Sequence, residues 1–199
     1  MLIGLDFDNT IVRYDRVFHD VALEKGLIQT DIPVSKVAVR DVLRAQGLEE
    51  DWIAIQGYVY GCRMDEAEMF EGVIDTLEWA ADAGHDCAII SHRTRHPYRG
   101  PAYDLHASAA AWVERHLCAD GRTFVSSDRV SFHETKAEKI DQIGRRKCDV
   151  FLDDLPEILA AETFPIQTRP ILFDPDDHHD DITGIERILD WPSLKDVIS

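Results

Sequence analysis

Two aspartates one residue apart, Asp6 and Asp8, close the short apolar run Leu2-Ile3-Gly4-Leu5 and are followed by Asn9-Thr10. A run of that length reads as a buried parallel strand, and in open α/β sheets ligands gather beyond the carboxyl ends of such strands. Side chains at i and i+2 of an extended segment share a face, so both carboxylates project together from the strand end. Like charges that close raise one pKa unless a cation holds them, which points to a metal or a basic side chain nearby. The bland alternative is a pair of solvated aspartates in a turn.

Other polar groups end other apolar runs. Cys87-Ala88-Ile89-Ile90 leads into Ser91, and Asp149-Val150-Phe151-Leu152 leads into Asp153-Asp154. Between them, Thr135 and Glu138 form a capping-box signature that starts a helix carrying Ile140 and Ile143, with Lys136 and Lys139 in its first turn. Arg93, Arg95, His96 and Arg99 follow Ser91 as a basic run. Charge-assisted pairing would suit it to a second anionic group on a substrate, and a solvated loop is the plain alternative.

The positioning elements follow from periodicity. Val17, Phe18 and Val21, then Val34 to Ala45, then Trp52, Ile55 and Val59 are helical in spacing, so residues 13–70 read as a helical insertion. A longer helix is expected from Asp65 through Phe70, Val73, Ile74, Leu77 and Ala81, stopped by Gly84. A helix with Leu105, Ala109, Trp112 and Val113 follows, then short β-like pieces near Phe124 and Val130, and a strand at Ile171–Phe173. Alternating strands and helices predict an α/β, Rossmann-like parallel sheet formed by residues 1–12 and 71–199. The acidic loop Asp174, Asp176, Asp177, His178, His179, Asp180 and Asp181 reads as solvated, and Tyr58, Tyr60, Trp52 and Arg63 read as packing in the insertion.

Composition narrows the class. The chain has 199 residues, 45% hydrophobic, enough for one domain with an insertion. A formal net charge of −17 argues against nucleic acid or an anionic membrane as partner through a general basic field. No stretch reaches the ~18 apolar residues of a membrane span, and no leader pattern is visible, so a cytoplasmic protein is expected. Cys62, Cys87, Cys118 and Cys148 form no CxxC pair and read as reduced, buried or half-buried spacers.

A strand-end Asp6-Phe7-Asp8-Asn9-Thr10, a strand-end Ser91, a helix-start lysine and a strand-end Asp153-Asp154, in that order, resemble the haloacid dehalogenase (HAD) superfamily. The match runs from Met1 to about Phe173. It implies a HAD-like core with a small helical cap inserted after the first strand, closing over a small substrate. Asp6 would be the nucleophile that forms an aspartyl-phosphate, and Asp8 the general acid and base. Dehalogenases of the family lack an acid at the second position, so Asp8 implies the phosphatase branch. Ser91 and a lysine would meet the phosphoryl oxygens. Lys136 and Lys139 both suit the lysine, and the Glu-Lys-Ile setting favours Lys139. Thr10, His92, Arg93 and Lys136 are the expected substrate-binding residues. Mg2+ is the implied cofactor, held by the Asp6 side chain, the Asp8 carbonyl, Asp154 directly and Asp153 less directly. Glu157 reads as a surface residue.

The expectation is thus a Mg2+-dependent phosphatase for a small phosphorylated substrate. A phosphotransferase or mutase on the same site and a catalytically idle module on this fold are the alternatives. No pattern here encodes the substrate or the oligomeric state.

Overall fold

A computed structural model describes residues 1–180 and 182–198; Asp181, the last member of the acidic loop, and Ser199 lie outside the described residues. In chain order the elements are β1 (Leu2–Leu5), β2 (Val12–Arg13), α1 (Asp15–Glu24), α2 (Lys36–Ala45), α3 (Glu49–Cys62), β3 (Glu68–Met69) and α4 (Val73–Asp82). Then come β4 (Asp86–His92), α5 (Leu105–His116), β5 (Cys118–Ala119), β6 (Arg122–Thr123) and β7 (Val130–His133). The chain closes with α6 (Lys136–Arg146), β8 (Val150–Asp153), α7 (Pro156–Leu159), β9 (Arg169–Phe173), β10 (Glu186–Ile188) and α8 (Ser193–Ile198).

Six strands form one parallel sheet in the order β10-β9-β8-β1-β4-β7. The α/β, Rossmann-like expectation is met. β1 lies in the middle, and the chain steps away from it in both directions, to β4 and to β8. That reversal of strand order is where the loops after neighbouring strands part and leave a crevice.

Alternation along the strands sends Ile90, Phe151 and Leu172 to one face, where they pack with Ile143, Cys148 and Leu159 in a fully buried cluster. The opposite face holds Phe173, whose ring meets Phe70 at 4.9 Å and Trp191 at 6.3 Å. At about 25 cal/mol per Å² of apolar surface, each such buried aromatic or aliphatic side chain contributes roughly 1.5–3 kcal/mol.

Two elements differ from the periodicity reading. The helix expected from Asp65 begins only at Val73, because Gly72 takes a left-handed φ of 84° and breaks the run after the short β3. β10 went unseen: Glu186-Arg187-Ile188 is too short and polar to stand out, yet it pairs in parallel with β9.

The chain divides into two units, one of Met1–Ile11, Met69–Arg93 and Val113–Ser199, the other of Val12–Glu68 and Thr94–Trp112. The sheet lies in the first. In the second, Phe18 packs against Trp52 with tilted rings and centroids 5.1 Å apart, Tyr60 meets Tyr14 and Phe18 edge-on, and Arg63 pairs with Glu24 and Glu66. The expected insertion, 13–70, did not include Thr94–Trp112. The reason is a close approach on α3. Gly57 and Gly61, one turn apart, lie against Pro97 and Tyr103, and a Cβ on Gly57 would come within 2.6 Å of Pro97 Cβ. Ser108 donates to the Gly61 carbonyl at 2.9 Å, and Arg99 pairs with Glu50 at 2.7 Å.

Candidate active site

Asp6 is the first residue past β1, and its amide still donates to the Leu152 carbonyl of β8 at 2.8 Å, so its backbone is fixed by the sheet. Its side chain is almost wholly buried. A carboxylate in that position needs donors, and two converge on the same oxygen. Ser91 Oγ donates to Asp6 Oδ1 at 2.8 Å from β4, and Lys139 Nζ donates to it at 2.6 Å from the first turn of α6. Oδ2 meets only the Thr10 hydroxyl, at 3.5 Å, among the described residues.

Lys139 is there because the helix start is fixed. The Thr135 hydroxyl accepts from the Glu138 amide and the Glu138 carboxylate accepts from the Thr135 amide, the expected capping box. From that start Lys139 falls on the same buried face as Ile140 and Ile143, and only 1% of it is exposed. Lys136, three residues earlier, is exposed and pairs with Glu157 at 2.7 Å. Of the two candidate lysines, the structure brings Lys139 to Asp6.

Asp153 ends β8 and is fully buried. Its Oδ1 accepts from the Leu155 amide at 3.1 Å. Its Oδ2 lies 2.7 Å from Lys139 Nζ, so the ammonium pairs with Asp153 as well as with Asp6. Burial pushes the Asp153 carboxyl up to about 7, with Lys139 pulling the other way and Asp6 adding to the rise. For Lys139, burial by itself lowers the ammonium, but Asp6 and Asp153 outweigh it and hold the lysine above its ordinary value. The lysine therefore stays charged between the two carboxylates.

One oxygen from each of Asp6, Asp153 and Asp154 falls within 4.8 Å of the others. Three hard carboxylate donors converging at the strand ends are a donor set that fits a hard divalent cation. Asp154 is half-buried and accepts from the Asn9 side chain at 3.3 Å. Asn9 was missed in the sequence reading. Its left-handed φ of 56° is a conformation that asparagine tolerates better than most residues, and its place between Asp8 and Thr10 was the available signal. Trp191 was missed as well: its indole donates to the Thr10 carbonyl at 2.9 Å and ties down the loop after Asp8.

The remaining candidates make contacts within the chain itself. Arg93 is buried and forks the Asp8 carboxylate through Nε, at 3.2 Å, and through its terminal nitrogen. It does not stand out as a loop cation ready for a second anion. Arg95 pairs with Asp104 at 3.3 Å and Arg99 with Glu50, so each arginine of the basic run meets a carboxylate of this chain. His92 Nε2 lies 3.2 Å from the Glu134 carbonyl, a backbone contact at the edge of the site. In the acidic loop, Asp174 is buried and takes the amides of His178 and His179 together with Arg187, so it caps the loop's own backbone. Cys62 and Cys118 are exposed rather than buried spacers; Cys87 and Cys148 are buried.

The fold is that of HAD-superfamily hydrolases. A HAD-superfamily hydrolase from Ehrlichia chaffeensis matches with a TM-score of 0.59 at 13% identity, over 98% of this chain and 94% of that one. The HAD-hydrolase YfnB from Bacillus subtilis, bound to magnesium, matches at 0.53 and 13% identity over 100% and 98%. A 2-haloacid dehalogenase from Pseudomonas syringae matches at 0.50 and 17% identity over 98% and 96%. No protein-family model matches the chain, and no curated protein matches it by sequence. Among the described residues no helix is long and apolar enough to cross a membrane.

Proposed function

We propose that this chain is a Mg2+-dependent phosphatase that hydrolyses a small phosphorylated metabolite through an aspartyl-phosphate on Asp6. The observation that carries the reading is the convergence of Ser91 and Lys139 on one oxygen of a buried Asp6, with the second acid, Asp8, two residues on. An Asp6 carboxylate oxygen attacks phosphorus and the bond to the leaving alcohol breaks, while Asp8 gives that oxygen a proton. Asp8 then takes a proton from water, whose oxygen attacks phosphorus and releases inorganic phosphate and the Asp6 carboxylate. Ser91 and Lys139, within reach of Asp6 Oδ1, are the donors for the charge that builds on the phosphoryl oxygens. Asp6, Asp153, Asp154 and the Asp8 carbonyl would hold magnesium. When bound, the ion would supply positive charge that lets two anions approach.

Asp8 sets this reading apart from the haloacid chemistry of the Pseudomonas syringae neighbour, because expelling a halide needs no proton donor. The test is turnover of p-nitrophenyl phosphate and a panel of phosphorylated metabolites with Mg2+, expected in the native chain and lost in Asp6→Asn. Turnover untouched by Asp6→Asn, or none on any phosphate ester alongside activity on a 2-haloacid, would overturn it. Transfer of phosphate to an added alcohol would mark a phosphotransferase instead.

A further inference from the structure

Two side chains at the end of β4 and two at the end of β1 are matched one to one. Ser91 and Arg93 are i and i+2 at the end of β4, and they donate to Asp6 and Asp8, which are i and i+2 at the end of the neighbouring strand. Arg93 is held from three sides. Its backbone amide donates to the carbonyl of His133, the last residue of β7, at 2.8 Å, which fixes its backbone at the edge of the sheet. Its guanidinium lies 5.6 Å from the centroid of the Phe7 ring, and its side chain is 3% exposed. Its Nε and a terminal nitrogen reach the two different oxygens of Asp8, whose own side chain is 22% exposed.

From this geometry we infer that Arg93 is a positioning residue: it fixes the orientation of the Asp8 carboxylate and so governs the rate of the chemical step, without binding substrate itself. The inference rests on the phosphatase reading for what Asp8 does, and on the structure alone for what Arg93 does to it. A planar fork fixes both the distance and the rotation of a carboxylate, which a lysine ammonium at the same place cannot do. Burial over Phe7 adds direction, because a guanidinium withdrawn to reach a distant substrate group would leave both the ring and the acid. Arg95 and Arg99, paired with Asp104 and Glu50, share none of this arrangement.

The test is a double-mutant cycle of Arg93→Gln and Asp8→Asn, with Arg93→Lys beside it, measured on p-nitrophenyl phosphate and on an alkyl phosphate in Mg2+. On the alkyl phosphate Arg93→Gln should lower kcat roughly ten- to hundredfold, the scale on which a misplaced catalytic group is felt, and leave KM within about twofold, with a much smaller loss on p-nitrophenyl phosphate, whose leaving group needs little from Asp8. Arg93→Lys should recover only a small part of the loss. In the Asp8→Asn background Arg93→Gln should cost less than about threefold, since the group it positions has gone. A rise in KM with kcat kept would show a direct substrate contact and overturn the inference, as would a full loss that persists in the Asp8→Asn background. Should the native chain hydrolyse no phosphate ester, the phosphatase reading fails. The positioning claim is then decided by a crystal structure of Arg93→Gln: a displaced Asp8 carboxylate supports it, and an unmoved one overturns it.

Discussion

The Lys139 ammonium lies 2.6 Å from Asp6 Oδ1, and both side chains are shut away from solvent. Removing one partner of such a pair leaves the other charge buried. Lys139→Met would leave Asp6 and Asp153 facing each other without a cation, and breaking a buried pair costs roughly 3–5 kcal/mol. We predict a clearly lower denaturation midpoint together with loss of turnover. Urea unfolding with and without Asp153→Asn in the same chain checks the cause: the second substitution, by neutralising one carboxylate, should return part of the stability.

Asp8 should matter most where the leaving group is poor. A p-nitrophenolate departs with little help, whereas an alkoxide must be protonated as it leaves. Asp8→Asn is therefore expected to reduce alkyl phosphate hydrolysis much more than p-nitrophenyl phosphate hydrolysis. Equal losses on both substrates would remove the acid role from Asp8.

Asp153 and Asp154 should differ as metal ligands. Asp153 already serves Lys139 and the Leu155 amide, whereas Asp154 is half-buried and meets the Asn9 amide at 3.3 Å. Calorimetric titration with Mg2+ is expected to show weaker binding for Asp154→Ala than for Asp153→Ala. The reverse order would make Asp153 the direct ligand.

Much of this site could be read from the sequence because each group stands at a strand or helix end marked by local pattern. Asp6, Ser91 and Asp153 end apolar runs, and Lys139 is counted from the Thr135 cap. Partnership was harder to see. Arg93 looked like a loop cation because nothing local says that β4 extends to His92 and carries Arg93 beside Asp8. Asn9 and Trp191 act through contacts 145 and 181 residues away along the chain, beyond any periodicity. The grouping of Thr94–Trp112 with the insertion depends on α3 glycines that a linear reading treats as ordinary helix positions.

Thiol reactivity should split two and two. Burial pushes the Cys87 thiol up to about 12 and the Cys148 thiol up to about 11, while Cys62 and Cys118 are exposed. Since the thiolate is the reactive form, an aromatic disulfide reagent at pH 8 should label two thiols in the native chain and four after denaturation. Rapid labelling of Cys87 or Cys148, located by mass spectrometry, would contradict this burial.

The pH dependence of stability carries the mark of Asp153. In metal-free buffer its carboxyl is pushed from the ordinary 3.8 up to about 7, first by burial and then by Asp6, against the pull of Lys139. A carboxyl with a raised folded value binds its proton more tightly when folded. Its contribution to stability is therefore present at pH 4 and falls as pH rises through the window up to about 7. Carboxylates held low, such as Asp174 beside Arg187, act in the opposite sense, so the total profile mixes both. Comparison with Asp153→Asn isolates the one group, because asparagine keeps an oxygen for the Leu155 amide but does not titrate. The melting temperature of the variant should gain on that of the native chain as pH rises from 4 to 7, and level off above. Added Mg2+ should then raise the native chain more than the variant at pH 7.5, since a cation among Asp6, Asp153 and Asp154 offsets the charge that burial disfavours. A constant difference between the two proteins across this range would show that Asp153 is not the group whose burial sets the slope.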